Sequence, residues 1–488
     1  MSKLTVEQPL LIGGEWVGAA SGRTYERTDP FTGEVVSVAA AAGRGDAARA
    51  AEAAEAASAT WAATPAPERA DCLNNAADLL DERAQEITET MIAECGATLG
   101  WAGFNCALAA GMLRHAASLT GQVDEETAIG SQVPGLTARA VRQPVGVVVG
   151  IAPWNAPVIL GTRAVATPLA FGNTVILKAS EQCPRTHAAI VRAIADAGVP
   201  AGVISLVTNE PTDAADVVDE LIAHPAVKRI NFTGSTRIGK IIAQKAAVHL
   251  KRTLLELGGK APLIVLADAD LDDAAAAANF GAFMNSGQIC MSTERIVVDR
   301  SVESDFEDRL VQRAQSLTVG DPRDPDTTIG PVVNEAAAAR VKELLDDAQA
   351  KGARLLTGGD ADGLLVTPTV VAGVTPEMRL YGEESFGPIV AVLTADGDED
   401  AVRLANDTAY GLSAAVFSTD IARAEAVARR IQSGICHING ATVHDEPQMP
   451  FGGVKDSGWG RFGGDAALDE FTELRWLTVQ HGDRHYPI

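Results

Sequence analysis

From Val145 onwards, short apolar runs alternate with stretches of helical periodicity, and this alternation limits the possible folds more than any other feature of the chain. The helical periodicity covers residues 157–171, 184–197 and 213–223. The apolar runs around these segments predict strands at Gly146–Ile151, Thr174–Leu177, Val203–Val207 and Arg229–Phe232. Strands and helices at this spacing are typical of a doubly wound parallel sheet, which binds ligands at the carboxyl ends of its strands.

A second alternation of strands and helices runs from Ala261 to about Gly440 and predicts a second α/β unit. Upstream, residues 10–38 have the pattern of short strands and turns. From Asp46 the periodicity becomes helical and continues to about residue 120. The predicted fold class is therefore α/β.

Composition argues against several classes of function. The chain has 488 residues and a formal net charge of −24, which opposes non-specific binding to nucleic acid or anionic lipid. Its apolar runs are far shorter than the roughly 18 residues of a membrane-spanning helix, and the first residues do not form a secretory signal. The six cysteines are widely spaced and the eight histidines form no ligand pattern, which predicts a cytoplasmic protein without a metal site.

One cysteine lies in a setting that suits a nucleophile. Cys290 follows Asn285-Ser-Gly-Gln-Ile289, whose small residues leave room for a substrate to approach. A thiol attacks an electrophilic carbon as the thiolate, so a reactive cysteine needs a positive or hydrogen-bonding environment. The same stretch also fits a cysteine that is packed as a small hydrophobe, and on its own it does not decide between the two.

Two polar residues that follow predicted strands suit the same chemistry. Glu256 comes after the apolar pair Leu254-Leu255 and precedes two glycines, so it is either a general base with a raised pKa or a surface acid at a strand end. Asn155 is the last residue of the motif Pro153-Trp-Asn155, which follows another predicted strand. Its amide either donates to an oxyanion or caps the helix that starts near Pro157.

Two turns suit a dinucleotide. Phe232-Thr-Gly-Ser-Thr-Arg-Ile-Gly239 lies between a strand and a helix, so its backbone N–H groups would face a phosphate. It is not a G-x-G-x-x-G sequence, and an ordinary strand-to-helix turn is the alternative. Lys178-Ala-Ser-Glu181 places a cation and a carboxylate where ribose hydroxyls would lie, or else forms a solvated loop.

Because it contains these motifs together and in this order, the chain resembles the NAD(P)-dependent aldehyde dehydrogenase superfamily over nearly its whole length. The resemblance rests on Pro153-Trp-Asn155, Lys178-Ala-Ser-Glu181, Phe232-Thr-Gly-Ser-Thr236, Glu256-Leu-Gly-Gly-Lys260, Gly287-Gln-Ile-Cys290, Glu384-Ser-Phe-Gly-Pro388 and Pro450-Phe-Gly-Gly-Val-Lys455. Three longer words look like the branch of vanillin, benzaldehyde and salicylaldehyde dehydrogenases, which oxidises aromatic aldehydes: Ile151-Ala-Pro-Trp-Asn-Ala-Pro157, Gln288-Ile-Cys-Met-Ser-Thr-Glu-Arg295 and His437-Ile-Asn-Gly-Ala-Thr-Val-His-Asp-Glu446.

The resemblance implies a mechanism on the matching positions. Cys290 attacks the aldehyde carbon, while the Asn155 amide and the backbone N–H of Cys290 hold the oxyanion. Hydride transfer to NAD(P)+ leaves a thioester, and Glu256 activates the water that hydrolyses it to a carboxylic acid. The residues implied to bind the cofactor are Trp154, Lys178, Ser180, Glu181, Gly234, Ser235, Glu384 and Phe386.

Helix geometry extends this expectation to the substrate. Residues 159 and 163 share one face of the helix after Asn155 and would line the aldehyde tunnel. Arg163 would meet a ring hydroxyl or a carboxylate, as in succinic semialdehyde, or would pair with a structural carboxylate. The apolar slot for an aromatic ring would be built by Trp101, Ile159, Met284, Ile289 and Phe451.

Two features of the family pattern are not decided by the motifs: the proton relay near Arg461 and the choice between NAD and NADP. Many members have a Glu after the word Ser457-Gly-Trp-Gly-Arg461, where this chain has Phe462, so any proton relay at that point is in doubt. Glu181 can accept from a ribose 2′-hydroxyl and repels a 2′-phosphate, which favours NAD. Lys178 and Arg185 would accept the phosphate, so NADP stays possible.

The resemblance also implies a domain organisation. A Rossmann-like cofactor domain would comprise residues 1–123 and 146–254, and an α/β catalytic domain residues 255–456. A small β oligomerisation element would combine 124–145 with 457–488 and pair between subunits in a homodimer or homotetramer. Two other classes compete: a CoA-acylating aldehyde dehydrogenase, which generally lacks the base, and a non-catalytic binding protein on this scaffold.

Overall fold

A computed structural model describes residues 6–486 and 488. No helix in the described part of the chain is long and apolar enough to cross a membrane. In chain order the helices are α1 (Arg44–Ala63), α2 (Ala66–Glu82), α3 (Ala84–Cys95), α4 (Leu99–Leu119), α5 (Pro157–Ala170), α6 (Pro184–Asp196), α7 (Ala214–Ala223), α8 (Thr236–Val248), α9 (Leu271–Phe283), α10 (Glu303–Gln315), α11 (Glu335–Ala350), α12 (Arg379–Gly382), α13 (Gly397–Asn406), α14 (Ile421–Ala428) and α15 (Ala466–Phe471). The strands are β1 (Val6–Gln8), β2 (Leu10–Ile12), β3 (Glu15–Val17), β4 (Thr24–Thr28), β5 (Val35–Ala40), β6 (Glu126–Ile129), β7 (Leu136–Pro144), β8 (Val147–Ile151), β9 (Thr174–Lys178), β10 (Ile204–Val207), β11 (Val227–Thr233), β12 (Arg252–Glu256), β13 (Ala261–Val265), β14 (Thr293–Asp299), β15 (Arg354–Thr357), β16 (Ala361–Asp362), β17 (Leu365–Val366), β18 (Thr369–Ala372), β19 (Ile389–Ala395), β20 (Ala415–Phe417), β21 (His437–Ile438), β22 (Gly458–Trp459) and β23 (Thr472–Gln480).

The first large sheet has eight strands in the order β22-β12-β11-β8-β9-β10-β2-β3. Its central strands, from β12 to β10, pair in parallel. Alternate side chains of these apolar strands enter two cores, because successive residues of a strand point to opposite faces. Val147 and Val149 belong to the core that also contains residues of α1, α7 and α8, whereas Val148 belongs to the core that contains residues of α2, α4, α5 and α6. The predicted doubly wound sheet is confirmed, with the strand ends shifted by at most two residues.

The register of this sheet gathers the carboxyl ends of its strands at one edge. Thr233 at the end of β11 pairs with Glu256 at the end of β12, and Ile151 of β8 pairs with Lys178 of β9. The turns that follow these strand ends contain the polar motifs identified in the sequence. These motifs therefore lie close together in space although they are far apart in the chain.

The second large sheet has seven strands in the order β15-β18-β19-β14-β13-β20-β21. All its pairs are parallel except β15 with β18. Before β14, the chain leaves α9 through a short 3-10 turn, Met284–Gly287, in which Asn285, Ser286 and Gly287 have positive φ angles of 51°, 56° and 70°. This tight reversal brings Cys290 back to the junction with the first sheet.

A third sheet of three antiparallel strands has the order β23-β7-β6. Strand β23 pairs with β7 over its whole length, from Thr472 opposite Pro144 to Gln480 opposite Leu136. Both β6 and β23 are largely exposed, and Trp476 has 70% of its surface accessible. The two-residue strand β22, by contrast, pairs with β12 of the first sheet. The domain boundaries stay a prediction.

Candidate active site

Two cavities meet at Cys290. The larger has a volume of about 720 Å³ and the smaller about 280 Å³, and Asn155 and Cys290 line both. Every residue predicted for the substrate lies in the larger cavity: Trp101, Ile159, Arg163, Met284, Ile289 and Phe451. The smaller cavity is lined by Glu256 and by five of the residues predicted for the cofactor: Trp154, Gly234, Ser235, Glu384 and Phe386.

Lys178, Ser180 and Glu181, also predicted for the cofactor, lie outside the lining of the smaller cavity, at the end of β9. Lys178 forms an ion pair with Glu181, and Asn209 Nδ2 donates to Glu181 Oε1 at 3.0 Å. Burial raises the pKa of the Glu181 carboxyl, but these two donors outweigh it, so the net shift is below the ordinary value. The Ser180 backbone N–H donates to His187 Nδ1 at 3.1 Å, which ties this turn to α6.

The Cys290 thiol does not have the positive environment expected of a preformed thiolate. Burial raises the pKa of the thiol well above its ordinary value, and the neighbouring Glu256 carboxylate raises it further. Arg163 acts in the opposite direction but does not outweigh them. The thiolate is the attacking form, so this environment favours a reaction in which a base accepts the thiol proton.

Glu256 is the charged group that acts most strongly on the Cys290 thiol. It ends β12 with 1% of its surface exposed, so the alternative of a surface acid is excluded. Both carboxylate oxygens lack a hydrogen-bond partner among the described residues. Burial raises the pKa of Glu256 to about 7, although the nearby Cys290 and Arg163 lower it. A carboxyl group with a pKa near neutrality can both accept and return a proton.

The backbone and the amide of Asn155 are held by separate contacts. Its carbonyl accepts from Trp101 Nε1 and from Asn285 Nδ2, each at 2.9 Å. Its Nδ2 donates to the Gln288 carbonyl at 3.0 Å. Ala156, not Asn155, occupies the N-cap of α5, and the Asn155 side chain does not cap the helix. The amide is therefore fixed beside Cys290 and available to a developing oxyanion.

The smaller cavity has the features of a dinucleotide site. Ser235 caps α8, and its Oγ accepts from the Ile238 N–H at 3.4 Å. The partial positive charge of a helix N-terminus favours an anion at this point. Glu384 accepts from the Gly259 N–H at 2.8 Å, and burial raises the pKa of its carboxyl to about 8. A Cβ at Gly258 would lie 2.6 Å from Glu384 Oε2, so a larger residue there would displace the Glu384 carboxylate from this position.

A buried ion pair lies behind the part of this cavity that Glu384 lines, and no role was predicted for it from the sequence. Lys260 Nζ lies 2.6 Å from Glu294 Oε2, and neither side chain is more than 4% exposed. Glu294 also accepts from the Ser385 and Phe386 N–H groups at 2.9 and 3.1 Å. Breaking a buried pair typically costs about 3–5 kcal/mol, so the pair fixes the turn that carries Glu384 and Phe386.

In the larger cavity, Arg163 pairs with a carboxylate. It forms an ion pair with Asp445, and the two side chains are 6% and 8% exposed. The guanidinium carbon lies 4.0 Å from the ring centroid of Phe451 and 5.9 Å from that of Phe462. Phe462, which stands where many relatives have Glu, is therefore part of the packing around Arg163. Of the alternatives for Arg163, the structural pairing is the one observed.

The larger cavity is also lined by residues that were not predicted from the sequence, among them Phe104, Phe280, His437, His444 and Asp445. Phe104 stacks on Trp101 with ring centroids 5.6 Å apart. Their spacing of three residues on one helix is a signal that could have found Phe104. Asp445 lies 282 positions from Arg163 in the chain, and nothing local marks it as its partner. In the described part of the chain, no group of three or more His, Cys, Asp or Glu could hold a metal ion.

Two helix-covered, mostly parallel sheets, with a cysteine where two cavities meet and a buried glutamate in the smaller one, are typical of an α/β enzyme. The model of the aldehyde dehydrogenase family matches residues 16–477, and the chain belongs to this family. It is an NAD(P)-dependent aldehyde dehydrogenase, as the resemblance predicted.

Individual relatives match almost end to end. A vanillin dehydrogenase from Pseudomonas fluorescens is 56% identical over 483 residues, which cover 99% of this chain and 100% of the relative. A salicylaldehyde dehydrogenase from Pseudomonas putida is 46% identical over 98% of this chain and 99% of the relative. The crystal structure of a salicylaldehyde dehydrogenase from Pseudomonas putida G7 complexed with salicylaldehyde has a TM-score of 0.97 at 45% identity, covering 99% of this chain and 100% of that chain.

Proposed function

We propose that this protein oxidises an aromatic aldehyde to the carboxylic acid, with NAD+ as the preferred cofactor. The observation that carries the proposal is the larger cavity, whose volume of about 720 Å³ is bounded by aromatic and aliphatic side chains and opens onto Cys290. A flat ring would lie between apolar walls and present its aldehyde carbon to the thiol. The names of the similar proteins support this substrate class, since they act on vanillin, salicylaldehyde and benzaldehyde.

The proposed mechanism begins with a proton transfer from Cys290 to Glu256. The free carboxylate oxygens of Glu256 and its pKa of about 7 suit this transfer. The thiolate attacks the aldehyde carbon, and the Asn155 amide with the Cys290 backbone N–H stabilises the oxyanion. When bound, NAD(P)+ would accept the hydride from this carbon, which leaves a thioester on Cys290. Glu256 passes the thiol proton to solvent and then takes a proton from the water that attacks the thioester carbon. The carbon–sulfur bond breaks, the acid is released, and Glu256 returns its proton to the Cys290 thiolate.

The chain offers a complete set of groups for the cofactor. Ser235 and Gly234, at the N-terminus of α8, would hold the pyrophosphate. Glu384 would bind the nicotinamide ribose, with Phe386 packed against that end. Trp154 lies 5.8 Å from Phe386 between ring centroids, in an edge-on arrangement that would flank the cofactor channel.

The preference for NAD rests on the turn after β9, where Lys178, Ser180 and Glu181 would meet the adenosine ribose. Glu181 is held ionised by Lys178 and Asn209, so it would accept from a 2′-hydroxyl and repel a 2′-phosphate. Lys178 is already engaged by Glu181, which leaves it less free for a phosphate. A lower KM for NADP than for NAD would contradict this preference.

The alternatives to an aromatic substrate are less well supported. A semialdehyde that carries a carboxylate needs a free cation, whereas Arg163 is neutralised by Asp445 inside the cavity. A CoA-acylating enzyme would not need the buried base at Glu256. A binding protein on this scaffold would not need Cys290, Glu256 and Asn155 around one point.

Assembly and location are part of the same proposal. The exposed β6 and β23 would pair with another subunit in a homodimer or homotetramer. All six cysteines are free, including the exposed Cys436, which suits the reducing cytoplasm.

Steady-state kinetics on a panel of aldehydes with both cofactors tests the function. We expect kcat/KM for benzaldehyde, salicylaldehyde and vanillin to exceed that for acetaldehyde and succinic semialdehyde, with NAD preferred. Equal kcat/KM for acetaldehyde would reject the aromatic substrate. Labelling with a thiol reagent should show Cys290 protected by aldehyde, and a Cys290 no more reactive than the other five cysteines would favour the binding protein.

A further inference from the structure

Glu294 is a buried carboxylate that the proposed mechanism does not use. It lies on β14, shortly after Cys290 in the chain, and only 3% of its surface is exposed. Lys260 Nζ lies 2.6 Å from Glu294 Oε2, and the lysine side chain has no exposed surface. Burying these charges is costly, and hydrogen bonds to the remaining lone pairs must offset the cost. The other partners of Glu294 therefore indicate which part of the molecule the charge serves.

Among the described residues, the other donors to Glu294 all belong to the turn at 385–386. Its Oε1 accepts from the backbone N–H groups of Ser385 at 2.9 Å and of Phe386 at 3.1 Å. Its Oε2 accepts from the Ser385 hydroxyl at 2.7 Å. Phe386 has a φ angle of 51°, a backbone conformation that residues other than glycine rarely adopt without support from their surroundings. Glu294 supplies that support.

This turn carries the two side chains that are proposed to hold the nicotinamide end of the cofactor. Glu384 and Phe386 line the smaller cavity. Lys260 and Glu294 line neither this cavity nor the larger one, so they act on the cofactor only through the turn. Arg340 Nη2 also donates to the Glu384 carbonyl at 2.6 Å, but the Arg340 side chain is 40% exposed, and a hydrogen bond is weaker in water than in the interior. Glu294 is thus the main buried anchor of the turn.

The nucleophile and the base are held by contacts that do not involve this pair. Strand β13 pairs in parallel with β14, and Ala261 lies opposite Thr293. A Cβ at Gly259 would lie 2.2 Å from the Cys290 carbonyl oxygen, so the backbone that follows Glu256 is in direct contact with the backbone of Cys290. Loss of the ion pair would leave these backbone contacts in place. The distance from the Cys290 thiol to Glu256 should therefore not depend on the pair.

We propose that the Lys260–Glu294 pair positions the nicotinamide end of the cofactor, so that hydride transfer depends on the pair and hydrolysis of the thioester does not. The inference rests on the proposed cofactor site at Glu384 and Phe386. It assigns a positioning role to two residues that lie outside both cavities. Because a misplacement of about 1 Å can cost roughly 100-fold in rate, even a small shift of the turn should be visible in turnover.

Two reactions of the same thiol separate the two halves of the chemistry. Oxidation of the best aldehyde of the kinetic panel requires hydride transfer to the cofactor. Hydrolysis of 4-nitrophenyl acetate does not: the Cys290 thiolate attacks the ester carbon, and the carbon–oxygen bond breaks to release 4-nitrophenolate. Water activated by Glu256 then breaks the carbon–sulfur bond of the acetyl thioester and releases acetate. In Glu294→Gln, which removes the charge and keeps the shape, we expect kcat for oxidation to fall by roughly 10- to 100-fold and ester hydrolysis to stay within about 2-fold of wild type.

A double variant guards against a failure to fold, since Glu294→Gln leaves the Lys260 charge buried without its partner. Lys260→Met/Glu294→Leu removes both charges, and replacing a buried ion pair by apolar residues is often neutral for stability. It should show the same loss of oxidation and the same retained ester hydrolysis. The matched control is Lys245→Met/Asp219→Leu, which removes a pair between α8 and α7 whose members line neither cavity. It should keep both activities at the wild-type level.

A parallel fall in ester hydrolysis would overturn the proposal, since the pair would then support Cys290 and Glu256 as well. Unchanged oxidation in the double variant would also overturn it, and so would failure of both variants to fold, because the pair would then hold the whole subunit. Glu384→Ala separates this inference from the site on which it rests. If Glu384→Ala leaves the dissociation constant of NAD unchanged, the proposed cofactor site is wrong. If it raises that constant while the pair variants oxidise aldehyde normally, only the role of the pair is wrong.

Discussion

The proton balance of Glu256 sets how turnover depends on pH. Burial raises the pKa of this carboxyl to about 7, and only its ionised form can accept the thiol proton. We expect kcat/KM to rise with pH through about 7. Glu256→Gln should lower kcat by roughly 100- to 10,000-fold and remove this rise. Initial rates across the neutral range would check both effects, and an unchanged pH profile in the variant would remove Glu256 from the mechanism.

The buried Glu256 carboxyl should lower the free energy of unfolding at alkaline pH. Its pKa is higher in the folded protein than in the unfolded chain, so the folded state binds the proton more tightly. That stabilisation is complete below the unfolded pKa of about 4.3 and is lost as pH rises through about 7. Glu256→Gln stays neutral, so above this range its free energy of unfolding should exceed that of the wild type by about 4 kcal/mol. Calorimetric unfolding temperatures that differ equally at acid and alkaline pH would contradict this.

Asn155→Ala isolates the oxyanion contribution. The side chain makes one hydrogen bond, to the Gln288 carbonyl, while the contacts from Trp101 and Asn285 reach the backbone carbonyl and remain. The fold should therefore survive, and kcat should fall by roughly 100- to 1,000-fold. Turnover should be compared with circular dichroism of the same samples. A folded variant with normal kcat would show that another donor stabilises the oxyanion.

Parallel-sheet topology predicts that Asn155 and Glu256 come together, because each lies at or just after a strand end. Cys290 follows the turn after α9 instead, and the family resemblance was the deciding evidence for placing it beside them. The high pKa of the Cys290 thiol was not foreseen, since it depends on burial and on the distance to Glu256. Asp445 was missed because it pairs with Arg163 across 282 positions of the chain.

Individual elements were predictable where burial dictates the pattern. Strands such as β8 and β9 are wholly buried and read as continuous apolar runs. Within the helical periodicity that runs from Asp46 to about residue 120, the chain divides into α2 and α3 at Arg83, and neither glycine nor proline marks the break. Arg83 instead forms an ion pair with Asp196 at the end of α6, a tertiary contact that local periodicity does not report.

Strand β23 offers a test of the proposed assembly. Leu474 and Trp476 are 63% and 70% exposed and lie two residues apart on one strand, so they share one face and form an apolar patch of the kind that marks interaction sites. Trp476→Glu should leave the subunit folded and raise the dissociation constant of the oligomer by roughly 10-fold or more. Sedimentation velocity would measure this. Ile421→Glu on α14, a matched change at a residue 52% exposed, should keep the assembly intact, and equal effects would argue against β23.

At the scale of the whole molecule, the smaller cavity joins the two large sheets. Ser235 reaches it from the first sheet, whereas Glu384 and Phe386 reach it from the turn before β19 of the second. A dinucleotide bound there would contact both units at once. Binding to the folded state alone stabilises it by about 2.7 kcal/mol at a ligand concentration 100 times Kd, so the cofactor should raise the unfolding temperature of both units together.

This coupling allows cofactor preference to be measured without turnover. NAD should raise the unfolding temperature more than the same concentration of NADP, because the ionised Glu181 repels a 2′-phosphate. Glu181→Gln removes the charge and keeps the shape, so it should move the ratio of the two dissociation constants towards NADP by roughly 10-fold. Glu399→Gln, which breaks an exposed pair with Arg430, should leave the ratio unchanged. An identical ratio in wild type and Glu181→Gln would place the selection of the cofactor elsewhere in the chain.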